Sequence, residues 1–289
     1  MKKILICLAI LLLVNAFFAR VEVNADFQTS AKAMCLIEKT TGREICSKNE
    51  DEKLPMASTT KIVTALTVLE NCDNLDEKFK VDDRAVGVPG TSIYLIKGEE
   101  LTVRELLYGM MLVSGNDAAT ALALHISNSI EDFCKLMQET ALKAGATNSS
   151  FSNPHGLDEE GHYTTAHDLA LIAAKALQNP TFAEIVSTRE CKISGNEKNP
   201  IRYLKNKNKL LNTFQGATGV KTGFTDDAGR CFVGSAEREG TEFVCVLFNC
   251  GPMFEECSSL IEEAFKNYSL IEIAVSYTHL RAHETTLHR

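Results

Sequence analysis

The sequence predicts a discontinuous α/β domain: one antiparallel sheet assembled from both ends of the chain, flanked by helices, with a helical lobe inserted between. Three observations predict it. Residues 31–48 read as a strand, a tight turn and a returning strand. From about residue 205 the chain falls again into short β-type runs. The stretch between them carries helical periodicity and repeated helix-start signals.

The first 25 residues stand outside that domain. Met1-Lys2-Lys3 is a basic start, Ile4 to Phe18 is apolar, and Val23-Asn24-Ala25 offers small residues at a cleavage site, the pattern of a secretory signal peptide. Cys7 follows Ile6 where a lipidation signal needs a small residue, and no second long apolar span occurs. The expectation is an exported protein that works outside the cytoplasmic membrane. Residues 26–270 would be its folded part, a sheet lobe of about 27–90 and 205–270 and a helical lobe of about 91–204.

In "AKAMCLIEKTTGREICSK" the turn is Lys39-Thr40-Thr41-Gly42. Cys35 and Cys46 flank it at equal distances, which would set them nearly opposite and permit a cross-strand bond; two small buried thiols is the other reading. A helix follows over 58–70. The hydroxyls of Ser58 and Thr59 are placed to accept from the first N–H groups, and Asn71 closes the segment. Lys61 is left over: an ammonium one turn into a helix apolar on nearly every side is costly unless it is paired, at a cleft, or a base.

After the polar stretch "VGVPGTSIYLIKGEE", Thr102 and Glu105 form a capping-box pattern for a helix over 103–112. Further helices are predicted at 117–127, at 130–144 with Ser129 as N-cap, and at 166–177 with Thr165 as N-cap and Asp168 three residues on. The stretch "NSSFSNPHGLDEEGHYTT" reads as loop. Three β runs follow, "TGVKTG", "RCFVGSAE" and "EFVCVLFN", the last two joined by Arg238-Glu239-Gly240. A final amphipathic helix carries Phe254, Leu260, Ile261, Ala264 and Phe265 and ends near Tyr268. The tail "SYTHLRAHETTLHR" has no apolar stripe, and residues 271–289 are read as a non-native end on a truncated chain.

Composition excludes some functions. Without Lys2, Lys3, Arg20 and Glu22, a net +2, the formal charge moves from −8 to −10, a poor match for nucleic acid or anionic membranes. The nine cysteines left after cleavage are an odd number with no CxxC pair, so neither a zinc knuckle nor a dense disulfide scaffold is indicated.

Chemistry concentrates in three short segments. Ser58 and Lys61 are three apart and share a helical face, close enough for an amine to take a hydroxyl proton. Alone, that spacing also fits an N-cap beside a snorkelling lysine. "LVSGNDAA" puts Ser114 and Asn116 in a polar kink between two apolar helices, and "GVKTGFT" puts Lys221 and Thr222 on a β run ended by Gly223. Each has a structural explanation by itself; the ordered set S-x-x-K, Ser-x-Asn and K-T-G is the signature of serine β-lactamases and penicillin-binding proteins.

With these motifs, and with "GTSIYLIKGEELTVRELLYGMMLVSGNDAA", "NPHGLDEEGHYTTAHDLALIA" and "GVKTGFTDDAGRCFVGSA", the sequence resembles the serine D-alanyl-D-alanine carboxypeptidases, the low-molecular-mass penicillin-binding proteins, over about residues 30–268. The resemblance implies a β-lactamase/transpeptidase-like fold. It implies Ser58 as nucleophile on the carbonyl between the two terminal D-alanines of a peptidoglycan pentapeptide, and Lys61 as its base. Ser114 would relay protons, Asn116 would hold the substrate amide or Lys61, and Lys221 and Thr222 would hold the terminal carboxylate. The backbone N–H groups of Ser58 and Phe224, the latter just after Gly223, would form the oxyanion hole. β-Lactam antibiotics would be covalent inhibitors, and no cofactor or metal is implied.

The sequence departs from the family at Phe224, where histidine is often found; a backbone donor survives that change. His155, His162 and His167 fall in a stretch that the family uses structurally, which argues against a metal site, and His125 is read as a structural histidine. The rivals are a class A-like β-lactamase, which would need a glutamate where "NSSFSNPHGL" stands, and a D,D-endopeptidase using the same residues. Family members commonly continue into a second domain and an amphipathic anchor, so membrane attachment would come only through a missing C-terminal region.

Overall fold

A computed structural model describes residues 27–196 and 199–270. The signal-peptide and tail expectations lie outside them. Strand β1, Ala33–Glu38, pairs with β2, Glu44–Lys48, as the hairpin pattern requires. A 3₁₀ turn over Ala57–Thr60 leads into helix α1, Lys61–Asn71. Beyond it lie the short pair β3, Lys78–Lys80, and β4, Glu100–Thr102. Helices α2 (Val103–Leu112), α3 (Asn116–Ile126), α4 (Ile130–Lys143), α5 (Ala166–Leu177) and α6 (Pro180–Ser187) follow. A second small hairpin is β5, Glu190–Ser194, with β6, Ile201–Lys205. The chain then runs through the one-turn helix α7 (Leu210–Thr213), strands β7 (Ala217–Thr225), β8 (Gly229–Arg238) and β9 (Thr241–Phe248), and helix α8 (Met253–Asn267).

The main sheet has the order β2-β1-β9-β8-β7, antiparallel throughout, so the first strand of the chain lies beside the last. This is the sheet built from both termini that the patterning predicts. Helix α5 covers one face against β1 and β9, and α8 covers the other against β8 and β9. Two apolar cores result, one on each side of the sheet. Every residue of β9 is buried, which is why "EFVCVLFN" reads as a nearly continuous apolar run rather than an alternating one. Helix α1 runs through the larger core against α3, α4 and α5, and Lys61 to Val68 are all buried.

Between residues 91 and 204 the predicted helix starts hold where a cap was named. Thr102 and Glu105 form the reciprocal box, Ser129 accepts from Asp132 N, and Thr165 accepts from Asp168 N. The cysteine pairing does not hold. Cys35 pairs with Ser47 and Cys46 with Leu36, because a bulge between Leu36 and Ile37 shifts the register. One extra residue turns Cys46 to the opposite face: Cys35 packs in the core under α5 and Cys46 against the core under α8, both as free thiols. The elements not predicted are α6, α7 and the two small hairpins. None of the described helices is long and apolar enough to cross a membrane.

Candidate active site

The turn that carries Ser58 corrects the capping expectation. Thr59 Oγ1 donates to the Met56 carbonyl at 2.6 Å and Thr60 Oγ1 to the Ala57 carbonyl at 2.8 Å, while neither the turn nor α1 has a side-chain cap. The Ser58 hydroxyl is therefore not used by the backbone. It faces Lys61 Nζ at 3.0 Å.

Lys61 is wholly buried, and its amine meets three oxygens: Ser58 Oγ, Asn116 Oδ1 at 2.7 Å and the His155 carbonyl at 2.6 Å. Two of the three can only accept. Asn116 is oriented by its own Nδ2, which donates to the Pro89 carbonyl at 2.7 Å, so its oxygen must point to Lys61. A neutral amine has two N–H groups and one lone pair; with the N–H groups directed at Asn116 and His155, the lone pair is directed at the one partner that can donate, Ser58 O–H. Burial, then the cations Lys221 and Lys207, holds the Lys61 amine well below the ordinary lysine range, against a smaller opposing pull from Asp117. Geometry and electrostatics both favour a base.

Asp117 is nonetheless committed elsewhere. Its carboxylate accepts from Ser92 Oγ and from the backbone N–H groups of Ile93 and Leu95, which pins the 92–95 loop beside the site. Ser114 sits at the predicted kink between α2 and α3, with φ of 70°. A non-glycine residue held in that left-handed region stores on the order of 1 kcal/mol, a cost that clusters at functional sites. Its hydroxyl takes no protein partner among the described residues and borders the cavity that Ser58 lines.

That cavity, about 420 Å³, is also lined by Thr91, Lys207, Lys209, Thr222, Gly223, Phe224 and Arg230. Strand β7 is the open edge of the sheet and forms one wall. Gly223 is required by close approach: a Cβ there would stand 3.0 Å from Ser58 N and 3.1 Å from Thr59 N. Phe224 follows it, 63% exposed as a residue and lining the cleft. Lys221 is buried, donates to the Thr222 carbonyl at 2.9 Å, and has its amine pushed down to about 7 by burial and by Lys207. Among the described residues no carboxylate lines the cavity, so its cationic groups face an opening suited to an anion.

Behind the nucleophile lies a buttress: the sequence marks His162 as structural but misses what it supports. His162 Nδ1 accepts from Ser152 N at 3.0 Å, so the proton is on Nε2, which reaches Thr60 Oγ1 at 2.9 Å. Thr60 in turn holds the Ala57 carbonyl. Both His155 and His162 are kept neutral, pushed down to about 3 and about 4, chiefly by burial and then by Lys61. His167 is apart from this chain, its backbone N–H on the Glu50 carbonyl, and His125 stacks on Phe79 at 3.7 Å. Lys207, Lys209 and Arg230 were also missed; the basic run "KNKNK" was the available signal for the first two.

Of the eight residues named from sequence, Ser58, Ser114, Thr222, Gly223 and Phe224 line one cleft, Lys61 meets both Ser58 and Asn116 behind it, and Lys221 is buried against the Thr222 carbonyl. The chain is 36% identical over 252 residues to the D-alanyl-D-alanine carboxypeptidase DacF of Bacillus subtilis, covering 85% of this chain and 64% of that one. It is 36% identical over 215 residues to a D-alanyl-D-alanine carboxypeptidase of a Streptomyces strain, covering 69% and 74%. The chain thus spans about two thirds of the length of the first curated relatives it matches. The crystal structure of a Streptomyces DD-transpeptidase superposes with a TM-score of 0.76 at 32% identity over 83% of this chain and 98% of that one. A penicillin-binding protein homologue of Mycobacterium tuberculosis does so with 0.79 at 28% identity over 85% and 95%. The profile of the D-alanyl-D-alanine carboxypeptidase family matches residues 19–251, and the chain belongs to that family of peptidases.

Proposed function

We propose that the protein is a serine-type D-alanyl-D-alanine carboxypeptidase that acts outside the cytoplasmic membrane and removes the terminal D-alanine from peptidoglycan pentapeptides. The observation that carries the proposal is the lone-pair geometry of Lys61 against Ser58. Ser58 Oγ attacks the carbonyl between the two D-alanines as its proton passes to Lys61 Nζ. The oxyanion is received by the N–H groups of Ser58 and Phe224, which Gly223 brings close to the turn. Ser114, with its hydroxyl open to the cleft, passes the proton to the leaving amine. Lys221 and Thr222 hold the departing residue's carboxylate, in a cavity otherwise without anions. Water then releases the shortened peptide from Ser58.

β-Lactams would acylate the same oxygen. The cleft favours slow release of that adduct over the β-lactamase reading: its lining has no carboxylate to activate water, and nearby Asp117 is occupied by the 92–95 loop. Incubation with a labelled penicillin, followed by peptide mapping and by assay of D-alanine release from pentapeptide, tests the proposal. The label should reside on Ser58 and persist; labelling of another residue, or fast turnover of the penicillin, contradicts it.

A further inference from the structure

Beside the catalytic cleft lies a second groove of about 310 Å³, lined by Ser92, Ile93, Tyr94, Val113, Arg202 and Tyr203 among others. It continues from the first: Thr91 and Ser114 line the cleft, while their chain neighbours Ser92 and Val113 line the groove. Its rim concentrates exposed apolar surface. Tyr94 is 79% and Tyr203 73% exposed, with exposed Ile201 lining the same groove.

The display of Tyr94 is built rather than incidental. Its backbone is in the left-handed region, φ 60°, unfavourable for an aromatic residue. It is clamped from two sides. Asp117, next in sequence to Asn116, holds Ile93 N and Leu95 N, while Arg202 Nε and Nη2 donate to the Ile93 and Tyr94 carbonyls at 2.7 and 3.1 Å. Lys192 braces the Tyr203 ring, 5.2 Å from its centroid. A backbone clamped on both sides of Tyr94 does not have to be ordered when a partner arrives, which lowers the entropy cost of binding.

The chemistry of the groove selects the partner. Arg202 is its charged lining residue, and all five guanidinium donors are engaged: Ile93 O, Tyr94 O, Ser194 O and both oxygens of Glu99. Arg202 therefore has no donor free for a carboxylate-bearing peptide, and the exposed Lys192 at the rim lies against the Tyr203 ring. The groove offers flat aromatic faces and two phenol hydroxyls that have no partner among the described residues. That combination suits a neutral sugar ring, which has an apolar face for stacking and hydroxyl and amide groups at its edge. We infer that the Tyr94–Tyr203 groove binds the uncharged amino-sugar chain to which the substrate peptide is attached, so that a glycan-linked peptide is held at two points. This inference rests on the proposed function for the identity of the chain.

The test uses the full chain and a double variant, Tyr94→Asn with Tyr203→Thr; asparagine tolerates the left-handed backbone and threonine suits a strand. A β-1,4-linked N-acetylglucosamine tetramer is titrated by saturation-transfer NMR. Binding with a dissociation constant of order 1 mM is expected, weakened about tenfold or more in the variant. D-Alanine release is then compared on free pentapeptide and on glycan strands carrying it. The variant should raise KM about five- to tenfold on the strands, with kcat and all kinetics on free pentapeptide unchanged. Absence of tetramer binding, equal losses on both substrates, or a dimer dispersed by the variant would each overturn the inference. If the parent protein releases D-alanine from neither substrate, the proposed function fails while the tetramer titration still decides the groove.

Discussion

Lys61 Nζ and Asn116 Oδ1, 55 residues apart in the chain, meet at 2.7 Å in a fully buried contact. Because the Pro89 carbonyl fixes the amide's orientation, the contact orders one N–H of Lys61 and leaves the lone pair for Ser58.

Replacing Lys61 with methionine should therefore leave the fold intact, since an apolar chain of similar length fills a buried site, while slowing acylation by on the order of 10² to 10⁴. Stopped-flow kinetics with a chromogenic β-lactam, beside a urea unfolding curve, measures both. Acylation near the parent rate would move the base role to Ser114 with Lys221.

The pH dependence of acylation should follow the buried lysines. Burial and neighbouring cations hold Lys61 low, and Lys207 contributes to the lowering of both Lys61 and Lys221. Removing a like charge raises the affinity of the others for protons, so Lys207→Met should move the rising limb of the pH–rate profile to higher pH. Burial is the larger cause and remains, so the displacement should be smaller than the total shift. A profile that stays in place, or moves to lower pH, contradicts this electrostatic account.

Acid should destabilise the protein through the buttress. His155 and His162 are neutral in the fold, with pKa values near 3 and near 4 against about 6.5 when unfolded. Their contribution is complete above about pH 6.5 and is lost as pH falls towards those folded values, since the unfolded chain then binds the protons. For His162 alone the loss is on the order of 3 kcal/mol. Urea unfolding at pH 7 and pH 4.5 should show this loss, and His162→Asn should flatten it. An unchanged slope in that variant would remove His162 from the account.

Gly156→Ala should be costly far beyond a surface change. With φ of 88°, an added Cβ would fall 1.9 Å from the Ala57 carbonyl oxygen and 2.8 Å from Thr60 Oγ1, within the turn that carries Ser58. A loss on the order of 2–4 kcal/mol is expected, with slower acylation in the molecules that remain folded. Chemical denaturation and burst kinetics would show it; parent-like values for both would mean that the loop yields without moving Ser58.

Cys35 and Cys46 should remain unlinked under mild oxidation, because the bulge puts them in separate cores. Non-reducing mass mapping of the folded protein decides this, and a Cys35–Cys46 peptide would refute the register.

The site was largely legible because its chemistry is local in sequence: Ser58 with Lys61, Ser114 with Asn116, and Lys221 with Thr222 each occupy one short motif. The sheet was legible because β1, β8 and β9 have apolar faces and clear turns. What escaped depends on long-range placement. The Cys35–Cys46 register turned on a single extra residue, invisible in spacing from the turn. Lys207 and Arg230 gain meaning only when the segment between β6 and α7, and strand β8, bring them to the cleft. The β5–β6 hairpin is mostly exposed, with Ile193 and Leu204 alone buried, whereas α6 did carry a readable start, Asn179 before Pro180. Ser58 fits a helix cap as well as a nucleophile in the sequence, and the 3₁₀ turn frees its hydroxyl from the first use.

The adjacency of β1 and β9 has a consequence in time. During synthesis the N-terminal hairpin emerges first, yet its central neighbour is among the last strands made, so the hydrogen-bonding edge and apolar faces of β1 have no partner until the chain is nearly finished. Pairings of such long sequence separation close slowly. The helices between them carry mostly local contacts and can condense earlier, so the nascent chain passes through a period in which a helical body exists without its sheet. In that interval, exposure of β1 makes the protein a client for chaperones, and a ribosome stalled before β9 would release an aggregation-prone chain rather than a smaller enzyme.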